Sequence, residues 1–300
     1  TAAAALAMRG WSVILYERGS AIRAVGSALA LSENGLSVLE AVGAYEDAVK
    51  GAFPLQFRET RDGANRLLSR YDWKSHNKRL RMYFLLRSRA IESLADAARR
   101  QGLQVLLGKT VTGVEADGTV HGADNTSERF DLVIGADGAN SAVRASLSIP
   151  WTRTLHAEGS IRLLLDSDPS DSWEHGLFVE YWSGIRRAML VPCSEDKLYL
   201  ALIARADDPH AKQVPIDKAV WSASFPHLAP FIQRLGEQDR WSWDQYQTIR
   251  MRSWTVGRVA LIGDAAHAMS PNFGQGAALA MVNGITLAAA VATAPDITAA

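Results

Sequence analysis

Residues 263–278 read GDAAHAMSPNFGQGAA, a carboxylate followed by almost bare backbone. Asp264 is expected at the end of a buried strand, RVALIGD. Pro271 and Asn272 shape a turn, and Gly274 and Gly276 open an alanine-rich helix. The free N–H groups and positive dipole at such a helix mouth suit an electron-rich ligand. A second stretch, DLVIGADGANSAVR at 131–144, has the same logic. Its glycines let the backbone approach a ligand closely, and Asp137, beside Gly138, can hold hydroxyls or a water shell near phosphates. A tight turn capped by Asp137 is the other reading.

A different pair could read a substrate. Arg187 shares a strand face with Met189 and Val191, and Tyr199 lies across the turn PCSED with Ala201 and Ile203. An even register sum puts both side chains on one face. An arginine aimed into an apolar face wants an anion, and a planar carboxylate suits its fork. The alternative is a rim arginine with its head in water. Arg162 also alternates with apolar neighbours, or is an edge charge, and Tyr246 is pocket or plain core. His267 reads as packing beside the glycine-rich turn.

These residues need elements to hold them. Residues 1–9 read as an apolar helix closed by Gly10, and WSVILYE (11–17) as a buried strand ending in Glu17. This is the back half of a strand–helix–strand unit. In a dinucleotide-binding fold the acid at that strand end takes a ribose hydroxyl; a solvated strand-end glutamate is the plainer reading. The glycine-rich turn of such a unit would lie before Thr1, so the chain reads as a fragment. Helices are expected over 33–50, broken at Gly43, over 89–102, and over 216–237 with breaks at Pro226 and Pro230. Strands are expected within 53–86 and around 103–107, 110–116 and 130–135. From 159 to 204 a period of two predicts antiparallel sheet.

The fold class is therefore α/β, a Rossmann-like cofactor domain with an inserted antiparallel-sheet substrate domain. The cofactor domain takes 1–52, 85–152 and 251–300, and the substrate domain 53–84 and 153–250. In the 300 residues, 32 basic side chains balance 32 acidic ones, which argues against a nucleic-acid partner. Cys193 is the only cysteine and the histidines are scattered, so neither a disulfide framework nor a metal site is expected, which fits a cytoplasmic protein. The apolar stretch 277–294 carries Asn283 and Gly284 and reads as a buried helix, not a membrane span.

The sequence resembles the flavoprotein aromatic hydroxylases with the para-hydroxybenzoate hydroxylase fold. GADGANSAVR is similar to their second flavin motif and GRVALIGDAAHAMSPNFGQGAALA to their third. LLRSRAIESL resembles their arginine-bearing helix start, with Arg87 the match and Arg89 the alternative. The resemblance implies non-covalent FAD, NADH or NADPH as co-substrate, and molecular oxygen. It also implies cofactor roles for Glu17, Arg23, Arg87, Asp137, Gly138, Asp264, Gly274, Gln275, Gly276 and Ala277. The implied activity is monooxygenation of a small aromatic or N-heteroaromatic acid, by one oxygen or by two with ring opening, in a chain that forms a homodimer. A truncated fragment that binds nucleotide weakly or not at all is the alternative. SIRLLL, RRAMLVPCSEDKLYLALIARADDP and QGAALAMVNG are similar to the family's pyridine-ring branch, the 2-methyl-3-hydroxypyridine-5-carboxylate oxygenases. That branch shares Val282-Asn283 where most of the family has a Glu-Asp pair. The likeness puts Arg187 and Tyr199 at substrate contacts, and Arg162, Tyr246 and Pro271 around the pocket. Ala30 and Arg58 stand where that branch has pocket tyrosines, which implies a roomier, more cationic end and assigns Arg58 to the substrate.

Overall fold

The computed structural model describes residues 1–22, 28–75, 77–236 and 241–294. Arg23, an expected cofactor contact, lies outside the described residues. Two parallel strand pairs carry the cofactor region. Ile14–Glu17 runs beside Gln104–Leu107, and Val133–Gly135 beside Val259–Leu261. Parallel neighbours need long crossovers. The helices Ala2–Ala7, Glu33–Ala41, Arg87–Arg100 and Gly276–Thr293 pack into one apolar cluster through Leu6, Leu36, Leu39, Ala97, Met281 and Ala288. The helix Gly276–Thr293 is long and apolar enough to cross a membrane by length and composition. Here it packs on Ala2–Ala7 and Glu33–Ala41. Gly284 permits the closest approach, because a Cβ there would sit 2.9 Å from the Ala2 nitrogen.

The substrate region is carried by a nine-stranded sheet, which also takes in Ala28–Ser32 from the stretch expected to belong wholly to the cofactor domain. Its order runs Asp244–Met251, Trp151–Asp166, Lys197–Arg205, Arg186–Pro192, Gly176–Ser183, Phe53–Asp62, Met82–Leu86 and Ala28–Ser32, with Leu67–Asp72 also paired to Phe53–Asp62. One pairing departs from the antiparallel expectation. Gly176–Ser183 lies parallel to Phe53–Asp62, because the chain crosses the cofactor region before returning to the sheet. One face buries Ile161, Leu163, Leu190, Leu200 and Leu202 beneath Trp221, Phe225 and Ile232 of the helical segment that follows. The other face is built from a shorter apolar cluster and the charged residues described next.

A small meander, Val111–Val114, Thr119–Gly122 and Ser127–Arg129, was anticipated only in its first strand. Ser127–Arg129 is fully exposed and shows no apolar alternation to signal it.

Candidate active site

The register places Arg187 opposite Ile203 and Val191 opposite Tyr199. Arg187 and Tyr199 therefore share a face, as the even register sum requires. Arg162 opposite Ala201 joins them, as do Glu180 opposite Met189 and Arg58 opposite Phe178. Tyr199 is buried, with its ring centroid 5.1 Å from that of Phe84. Phe84 in turn lies 6.1 Å from Phe178. These rings, with Met189 and Tyr246, form an aromatic wall. Burial pushes the Tyr199 phenol up to about 12, opposed by the Arg162 guanidinium. Burial also raises Tyr246. Both are uncharged hydroxyls at neutral pH, and neither is a ready base.

Arg187 does not have an open fork. Nη1 donates to Glu180 Oε1 at 3.0 Å, and Nη2 to Glu158 Oε2 at 2.5 Å. The other Glu180 oxygen accepts from Arg58 Nη2 at 2.7 Å. The centre of the cluster is sequestered, with the Glu180 side chain 5% and that of Arg187 10% exposed, while Glu158 and Arg58 reach toward solvent. Arg58 also borders an open cavity of about 380 Å³ lined by Thr60, Ser69, Tyr71 and Trp73. Arg162 differs: it has no carboxylate partner among the described residues, and its guanidinium lies 5.9 Å from the Tyr246 ring centroid. Glu158 and Glu180 were missed in the sequence. The signal for Glu180 was a charge between Val179 and Tyr181 in an apolar run, but its partners are remote in the chain.

The glycine-rich loop meets this face. Arg187 Nη2 lies 3.4 Å from Asn272 Oδ1, and the Ile249 amide donates to the Ala268 carbonyl at 2.8 Å. A Cβ at Gly274 would reach Ala30 Cβ at 3.6 Å. Pro271 begins the short 3₁₀ turn Pro271–Phe273, and Gly274 follows at φ 63. Gln275 precedes the helix, which carries no side-chain cap, and its amide bonds with Asn34 instead. Gly276 and Ala277 begin the helix, so their N–H groups are among the first-turn donors with no intrahelical partner.

Asp264 does not end its strand. The strand stops at Leu261, Gly263 turns at φ 57, and Asp264 begins the one-turn helix Asp264–His267. The residue is exposed, and its carboxylate makes no hydrogen bond or ion pair with any described side chain. Asn283 holds this turn from behind, accepting from the Gly263 amide at 3.4 Å and contacting His267 Nε2. His267 otherwise packs near Trp254 at 5.1 Å, in keeping with a packing role.

Asp137 is engaged by its own turn. It accepts from Ser141 Oγ and from the Val143 amide at 3.1 Å, which is capping chemistry. Gly138, at φ 82, has open space where a side chain would point. Arg144 is a third residue absent from the expected set. Buried to 1%, it donates to Ala265 O at 2.8 Å and Ala139 O at 2.6 Å, and so ties the two glycine-bearing loops together. Glu17 ends its strand as expected, and one of its oxygens accepts from the Gly19 amide at 2.7 Å. Arg87 and Arg89 are both exposed in the first turn of Arg87–Arg100, and geometry does not choose between them.

The family model described as FAD binding domain matches residues 1–297. The chain belongs to the FAD-binding flavoprotein monooxygenases. It is 36% identical over 302 residues to the 2-heptyl-3-hydroxy-4(1H)-quinolone synthase of Mycobacteroides abscessus, covering 99% of this chain and 80% of that one. It is 29% identical over 308 residues to the 6-hydroxynicotinate 3-monooxygenase of Bordetella bronchiseptica, covering 94% and 77%. Among solved structures, the tetrameric form of 2-methyl-3-hydroxypyridine-5-carboxylic acid oxygenase superposes with a TM-score of 0.92 at 33% identity, covering 99% of this chain and 80% of that one. The α/β fold with a sheet-rich substrate region is that of this family.

The residues present fit FAD. Gly138 and Gly276 leave room where a Cβ would stand. The Ser270 hydroxyl is buried beside the loop without a partner among the described residues. The helix mouth is uncapped and Asp264 is unengaged.

Proposed function

We propose that this flavoprotein monooxygenase hydroxylates an N-heteroaromatic ring at the face carrying Tyr199. The observation that carries the reading is the aromatic wall of Phe84, Phe178 and Tyr199 beside the Pro271–Gly276 loop. The names of the three relatives described above support it, since they carry a quinolone, a nicotinate and a pyridine ring. Asp264, Gly276 and Ala277 would hold FAD, with Glu17, Gly138, Gly274, Gln275 and Arg87 around it. When bound, FAD supplies the two-electron store and the activation of oxygen. The balance is ring C–H, O2, NADH or NADPH and one proton giving ring C–OH, the oxidised nicotinamide and water.

The chain's own residues bind and orient. Phe84, Phe178 and Met189 keep water from the ring. Tyr199 stays protonated and donates to the ring oxygen, holding the ring at a fixed angle. Pro271 and Asn272 close the opposite side. One observation favours a second substrate form, a ring acid that undergoes opening: Arg162 is a cation on this face with no carboxylate partner among the described residues. Cytoplasmic location and self-association, as a homodimer or in the tetrameric manner of the structural neighbour, belong to the same reading.

The test is a panel of quinolones, hydroxypyridines and their acids given to the FAD-loaded protein with NADH or NADPH. Ring-stimulated nicotinamide oxidation with matching oxygen uptake is expected for an N-heteroaromatic ring. Stimulation by carbocyclic phenols alone would overturn the assignment.

A further inference from the structure

We infer that Glu158 and Glu180 are internal counter-ions that decide the charge of the ring this site accepts: by filling the fork of Arg187 they bar a substrate carboxylate there. The inference rests on the reading that an N-heteroaromatic ring binds this face.

Both terminal nitrogens of Arg187 are taken by carboxylates of the protein, at 3.0 Å from Glu180 and 2.5 Å from Glu158. Glu180 is shared with Arg58 at 2.7 Å, so two cations meet two anions and the cluster is neutral. The arginine is in the site and not at its margin, because Nη2 reaches Asn272 of the glycine-rich loop at 3.4 Å. A substrate carboxylate entering this fork would bring a third negative charge to Arg58 and Arg187, so among the described residues the cation left to it on this face is Arg162, beside Tyr246 and outside the fork. It would have to displace Glu180, whose side chain is 5% exposed and would lose its partners inside the protein. Leaving a buried carboxylate unpaired is costly, and an unpaired like charge is an effective way to reject a competitor. An uncharged ring meets no such obstacle. Arg58, at a position the family resemblance assigned to the substrate, is drawn into the same neutral cluster and adds no free positive charge.

The test compares two rings that differ only by the carboxylate, 2-hydroxypyridine and 6-hydroxynicotinate, with 4(1H)-quinolone as a larger uncharged ring. Binding to the FAD-loaded protein is measured by calorimetry and by the change in flavin absorbance, without reductant. The wild-type protein is expected to bind 2-hydroxypyridine about tenfold or more tightly than 6-hydroxynicotinate. Glu180→Gln and Glu158→Gln should each move that ratio about tenfold toward the acid, by removing one negative charge from the cluster and leaving a weaker, neutral acceptor on the arginine. Glu158, with a side chain 31% exposed, is the safer substitution and carries the test if Glu180→Gln does not fold. Wild-type protein that binds the acid as tightly as the uncharged ring, as it would if Arg162 took the carboxylate, overturns the inference, as does a ratio unchanged in the folded variants. Those results leave ring binding intact and so differ from failure of the functional reading, in which no N-heteroaromatic ring binds any form.

Discussion

The two sides of the site treat their polar groups in opposite ways. On the sheet, the terminal nitrogens of Arg58 and Arg187 pair with Glu158 and Glu180 at 2.5–3.0 Å, around a buried Glu180, while the Nε atoms of both arginines are buried without a partner among the described residues. On the loop side, Asp264 engages no described side chain, Ser270 is buried without a partner among the described residues, and the helix at Gly276 is uncapped. Charges that pair with one another across a surface are set before the ligand arrives. A surface with unsatisfied donors and acceptors is completed by its ligand. The sheet is thus built to select a ring by shape and charge, and the loop to hold a cofactor.

The largest effect should come from breaking the sheet cluster. Arg187→Ala leaves Glu180 with Arg58 alone and strands Glu158, and should cost about 3–5 kcal/mol of stability. Urea unfolding checks this. A stable Arg187→Ala protein that loses only affinity for a ring acid would show that the arginine serves the ligand and not the sheet. Asp264→Ala should do the reverse. It should leave unfolding of the cofactor-free protein nearly unchanged while FAD affinity, measured by flavin fluorescence, falls by about 1.5–3 kcal/mol. A fully yellow variant with unchanged affinity would remove Asp264 from the cofactor site.

Asp137→Ala sharpens the contrast between the two loop aspartates. Its carboxylate caps its own turn, so the expected loss is about 1 kcal/mol of thermal stability, with a smaller change in FAD affinity than for Asp264→Ala. The smallest effect concerns the tyrosines. Burial raises the folded-state value for Tyr199 to about 12 and raises Tyr246 in the same direction. The fold then keeps its phenol protons after the unfolded chain has lost them. Their contribution is full below the ordinary tyrosine value of about 10 and is lost as pH climbs through the folded-state values. Tyr199→Phe should therefore flatten the alkaline fall in stability and leave the neutral part of the activity–pH profile unshifted. A profile that shifts near neutrality would mean that Tyr199 ionises there.

How much of this was legible depended on whether a signal was local. The helix Arg87–Arg100 and its end were readable because apolar spacing and Gly102, at φ 76, sit side by side in the chain. The pairing of the strands carrying Arg187 and Tyr199 was readable because one short turn links them, but their shared face hung on an even register sum, which the structure supplies. The parallel pairing of Gly176–Ser183 with Phe53–Asp62 was not, since no short turn links them. The neutralisation of Arg187 was hidden for the same reason: Glu158 lies 29 residues away in the chain, and Arg58 is 122 residues from Glu180. An arginine in an apolar strand announces that it needs an anion, but not whether the protein or the ligand provides it. The role of Asp137 was open in the sequence between capping and ligand contact, and the geometry supplies the cap.

The central claim is that a ring held between the Pro271–Gly276 loop and the Tyr199 face receives an oxygen atom. The direct measurement is the mass of the ring product formed by the FAD-loaded protein from 4(1H)-quinolone, NADH or NADPH, and isotopically labelled O2. The account predicts a hydroxylated ring carrying one labelled oxygen atom, in step with nicotinamide oxidised. Oxidised nicotinamide and hydrogen peroxide with the ring returned unchanged, across the whole N-heteroaromatic panel, would contradict it.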